Sequence, residues 1–84
     1  MIVNAETFRD ELTRIFNKAK EENKEYVDVI SGDFHRQVGG YPSANHKMPT
    51  CCDVMKGMMN PKDKIISEPP KGRGATLKIR YFIE

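Results

Sequence analysis

Apolar residues recur at three- and four-residue steps across residues 5–21. Phe8, Leu12, Ile15, Phe16 and Ala19 fall on one stripe, so the spacing predicts an amphipathic helix. Asn4 is the natural N-cap, with Glu6 in the first turn and Lys18 and Lys20 in the last. Residues 26–30, Tyr-Val-Asp-Val-Ile, are β-branched and alternating, which predicts a short strand. A second helix starts at Ser31 or Gly32 and sends Phe34 and Val38 inward. Gly39-Gly40-Tyr41-Pro42 ends it, because glycine supplies the positive φ of a C-cap and proline cannot continue. Pro49 suits the first turn of a third helix over about 48–59, with Cys51, Val54, Met55 and Met58 on its apolar face and Cys52 and Met59 at the margin. Asn60-Pro61-Lys62-Asp63 stops that helix. A hairpin closes the chain: residues 64–68, then 76–83, where Leu77, Ile79, Tyr81 and Ile83 face one way and Lys78 and Arg80 the other.

The order helix, strand, helix, helix, strand, strand predicts an α+β domain. It resembles a winged helix-turn-helix, α-β-α-α-β-β, with the C-terminal hairpin as the wing. Eighty-four residues make one domain, 1–84, without repeats or linkers. There is little room for a core and a deep substrate cleft together.

Charge adds an asymmetry. Residues 1–33 carry five cations against eight carboxylates, a balance of −3; residues 34–84 carry nine against four, a balance of +5. A basic C-terminal part favours a polyanionic partner. No apolar run approaches the roughly 20 residues of a membrane span. The opening Met-Ile-Val-Asn-Ala-Glu lacks signal-peptide character, so the expected compartment is the cytoplasm. Cys51 and Cys52 are adjacent and have no third cysteine to pair with, which suits a reducing compartment.

On the winged-helix reading, the third helix meets the major groove. Thr50 and Lys56 lie on its outer side together with Asp53, and Asn45, His46 and Lys47 precede its N-terminus. The loop 69–75 is the wing, with Lys71 and Arg73 for phosphate; Lys78, Arg80 and Arg36 extend the nucleic-acid-binding set. Against this, the third helix is apolar for a recognition helix, and Asp53 repels phosphate.

Other chemistries are weaker. His35, His46, Cys51 and Cys52 are potential zinc ligands, but their spacing matches no zinc signature, and adjacent cysteines diverge by about 100° on a helix. The expectation is two thiols packing as small hydrophobes, Cys51 inward and Cys52 partly buried, without metal or cofactor. A Cys/His nucleophile has no cleft and no oxyanion hole, so no catalysis is expected. His35 reads equally as a solvated residue of the second helix, and His46 as a cap of the third. The methionines Met48, Met55, Met58 and Met59 read as core rather than as an adaptable binding surface.

The run Asp33-Phe34-His35-Arg36-Gln37-Val38-Gly39-Gly40-Tyr41-Pro42, then Asn45-His46-Lys47-Met48-Pro49 and Cys51-Cys52-Asp53-Val54-Met55, resembles a family of small, uncharacterised bacterial and phage proteins. The ending Ser67-Glu68-Pro69-Pro70 with Gly72-Arg73-Gly74-Ala75 fits the same pattern, so the resemblance covers about residues 26–81. Some relatives stand beside restriction or other DNA-processing proteins, which implies a DNA role. The turn from Tyr41 to Lys47 either adds a contact surface or is ordered by Tyr41 packing and Asn45 hydrogen bonds. The expectation is a monomeric, non-catalytic domain that binds double-stranded DNA. The alternative is a winged-helix adaptor for a protein partner in DNA-processing, restriction or phage machinery.

Overall fold

A computed structural model describes residues 3–41 and 46–83. It has three helices and three strands in the predicted order: α1 (Ala5–Glu21), β1 (Tyr26–Ile30), α2 (Ser31–Val38), α3 (Met48–Gly57), β2 (Lys64–Ser67) and β3 (Lys78–Phe82). The architecture is a small α+β domain.

Asn4 caps α1, its side chain accepting the Thr7 N–H at 3.0 Å. α2 follows β1 with no intervening residue and ends at Gly39 and Gly40, whose φ angles of 123° and 76° favour glycine. α3 ends at Gly57, two residues short of the predicted limit. Asp63 closes the turn that follows. Its two carboxylate oxygens accept the Asn60 and Phe82 N–H groups, each at 2.8 Å, so one buried side chain joins this turn to the end of β3.

The sheet is antiparallel in the order β1-β3-β2. Tyr26 lies opposite Phe82, Asp28 opposite Arg80 and Val29 opposite Ile79. A bulge between Ile65 and Ser67 interrupts the β2 ladder, an irregularity that a stretch reading Ile-Ile does not announce. β3 begins at Lys78 rather than residue 76, because the approach to it is occupied by other bonds. The Leu77 carbonyl accepts the Ser31 N–H at 2.8 Å and the Ala75 carbonyl accepts the Gly32 N–H at 3.0 Å. Gly32 must be small here: a Cβ would stand 2.9 Å from the Ala75 oxygen.

One core joins the layers. Phe8 and Leu12 of α1, Phe34 of α2, Cys51 and Met55 of α3, and Leu77, Ile79 and Tyr81 are buried against one another. Met48 is also buried, while Met58 and Met59 pack on the margin, so the four methionines serve packing. The Tyr81 hydroxyl donates to the Met55 carbonyl at 2.7 Å, and burial raises its pKa.

Candidate nucleic-acid interface

The loop 69–75 does not project from the sheet; it folds down onto α3. The Gly74 N–H donates to Cys52 Sγ and the Cys52 thiol donates to the Gly74 carbonyl, both at 3.4 Å. The Ser31 hydroxyl donates to the same carbonyl. Lys56 Nζ donates to the Gly72 carbonyl at 2.8 Å and to Glu68 Oε1 at 2.9 Å. Arg73 grips Asp53 with two bonds of 3.0 Å. Cys52 is therefore wholly buried, where partial burial was expected: the loop covers it, and nothing local in the sequence places the loop there. Burial, with Cys52 beside it, pushes the Cys51 thiol up to about 12, so Cys51 stays a protonated packing group.

Helix and loop together present Thr50, Asp53, Lys56, Lys71 and Arg73. Lys71 is exposed at the tip. Arg9 of α1 joins them, lining a shallow groove with Thr50, Asp53 and Met58. It was missed because it sits in the acidic first 33 residues, and only the packing of α1 against α3 brings it across.

The remaining cations lie elsewhere. Arg36 is on the last turn of α2, 3.2 Å from Asp33 and over the Tyr41 ring at 5.9 Å. Lys78 and Arg80 sit on the sheet face opposite the core and converge on Asp28. Arg80 donates to it through Nε and Nη2 at 2.8 and 3.1 Å, and Lys78 Nζ is 3.8 Å away. The Arg80 hydrogen bonds hold the Asp28 carboxyl below its usual range, outweighing partial burial, which pushes it up. Asn45 lies outside the described residues.

The approach to α3 is built on histidines. His35 is fully buried, not solvated, because Phe8 and Tyr41 enclose its ring at 5.0 and 5.2 Å. Its Nε2 accepts the Lys47 N–H at 2.9 Å. The His46 ring contacts Tyr41 at 5.7 Å, and its Nδ1 accepts the Met48 N–H at 3.2 Å, so His46 caps the start of α3 as one reading expected. Tyr41 thus packs against both histidines, while residues 42–45 of the turn lie outside the described residues. Among the described residues, no group of three or more His, Cys, Asp or Glu is placed to hold a metal ion, and no helix is long and apolar enough to cross a membrane.

No family model, no curated protein and no solved structure matches the chain.

Proposed function

We propose that the domain is a winged helix that binds double-stranded DNA through α3 and the loop 69–75, without catalysis. The observation that carries this reading is the docking of the basic loop on α3, where Arg73 bonds Asp53 and Lys56 bonds the Gly72 carbonyl, with Arg9 and Thr50 lining the adjoining groove. The carboxylates that hold these cations do not preclude it. Arg73 and Asp53 are 56% and 53% exposed in their side chains, and exposed ion pairs contribute little net stability, so phosphate can take the carboxylate's place. Likeness to small bacterial and phage proteins with DNA-processing neighbours belongs to the same proposal.

The test is a fluorescence anisotropy titration with mixed-sequence duplex DNA at low salt. The expected outcome is binding that weakens on Lys71→Ala/Arg73→Ala for every sequence, with the salt slope reduced by about two at most. Thr50→Ala should shift sequence preference, by about 1–3 kcal/mol for a good base contact. Absence of duplex binding at low salt rejects the reading.

A protein-binding adaptor is the second reading, and a specific observation favours it. Arg36, Lys56, Arg73, Lys78 and Arg80 each lie within 4 Å of a carboxylate, while Ile65 and Ile66 stand 39% and 44% exposed on an edge strand.

A further inference from the structure

The sheet has a second face, and its chemistry differs from that of α3. Val29, Ile79 and Tyr81 point into the core, so strand alternation turns their neighbours outward. Tyr26 and Phe82 are cross-strand partners with ring centroids 6.0 Å apart. Tyr26 is 40% exposed. Beside them Arg80 lies over the Tyr26 ring at 4.1 Å, fixed by its two hydrogen bonds to Asp28. Lys64 is the β2 partner of Arg80, and Lys78 follows on the same face.

We propose that this face binds single-stranded nucleic acid, with a base stacking at the exposed Tyr26 ring beside the half-buried Phe82 and the backbone running along Lys64, Lys78 and Arg80. Three cations against one carboxylate call for a polyanion. The paired rings narrow the choice among polyanions. Bases in a duplex are already stacked on each other, whereas an unpaired base has a free face for a ring. Arg80 contributes twice, as a charge and as a plate that sets the Tyr26 ring, while Asp28 holds the plate in position. None of this depends on α3 or the loop 69–75, so the two surfaces can fail separately.

The test is an anisotropy titration of the full chain with a labelled oligothymidylate of about twelve nucleotides, within the range one such domain covers. Tyr26→Ala should weaken binding roughly 5- to 100-fold, the range of a lost base stack. Tyr26→Phe should restore it, because the ring remains. Lys64→Ala should weaken binding and lower the salt slope. Lys18→Ala, exposed on α1, should leave it unchanged. Circular dichroism identifies any variant that fails to fold, and Tyr26→Phe and Lys64→Ala then carry the test. The proposal is overturned if the oligonucleotide does not bind at low salt, or if Tyr26→Ala binds as well as the parent. It is equally overturned if inorganic polyphosphate competes as well as oligothymidylate, since charge alone would then account for binding.

Discussion

Residues 69–77 contain no helix or strand, yet their backbone is bonded to Ser31, Gly32, Cys52 and Lys56 on two helices. β2, one residue before them, is regular structure with none of its four residues buried, joined to the sheet on one side through a ladder broken by a bulge. The contrast separates regularity from attachment. A strand at an edge shares its hydrogen bonds with one neighbour, and the bulge reduces them further. A loop pressed onto the start of α2 and onto α3 satisfies its Gly74, Ala75 and Leu77 carbonyls on buried donors. Local stability follows the number of buried partners rather than the secondary-structure label.

Three substitutions break or sharpen that contrast. Gly32→Ala has the largest expected effect. Its Cβ would meet the Ala75 oxygen at 2.9 Å and the Ala75 Cβ at 3.1 Å, so the loop or the start of α2 must move. Overpacking of this kind costs about 1–3 kcal/mol, and alanine's better helix propensity returns about 1 at most, leaving a net loss readable as a lower urea midpoint. An unchanged midpoint would mean that the loop is not held against α2. Lys56→Met comes next. It keeps the aliphatic stem and removes the bonds to Gly72 and Glu68, for a loss of about 0.5–1.5 kcal/mol. Native-state hydrogen exchange should quicken at Gly72 and Gly74 while α1 amides hold their rates; equal quickening throughout would show that the contact serves the whole fold and not the loop. Ile66→Thr should have the smallest effect, within about 0.5 kcal/mol, because the side chain is 44% exposed at the bulge. A drop above 1 kcal/mol in thermal or chemical unfolding would mean that β2 is as firmly attached as the loop.

The elements were legible where the chain speaks locally. The stripe from Phe8 to Ala19 and the Asn4 cap gave α1 to the residue, and alternation from Leu77 to Tyr81 marked the inward side of β3. The surfaces were legible only as a list of cations. Asp28 and Arg80 are 52 residues apart, and Asp53 and Arg73 are 20 apart. Charge counting along the chain cannot pair them, because pairing is set by sheet register and by where the loop lands. The same holds for Cys52 and His35, whose burial depends on segments that cover them from elsewhere. Tyr26 and Phe82 did carry a signal: each sits one strand step from a charged residue, Asp28 and Arg80, on the polar side of its strand.

The buried histidine has a consequence of its own. Because His35 Nε2 accepts the Lys47 N–H, a neutral ring must carry its proton on Nδ1. That nitrogen is buried and has no hydrogen-bond partner among the described residues. The protein thus selects one tautomer by occupying the other nitrogen rather than by binding the proton itself. The proton at Nδ1 is shut away from solvent, and it should appear as a distinct, slowly exchanging imidazole resonance for as long as α2 and the segment leading into α3 stay joined.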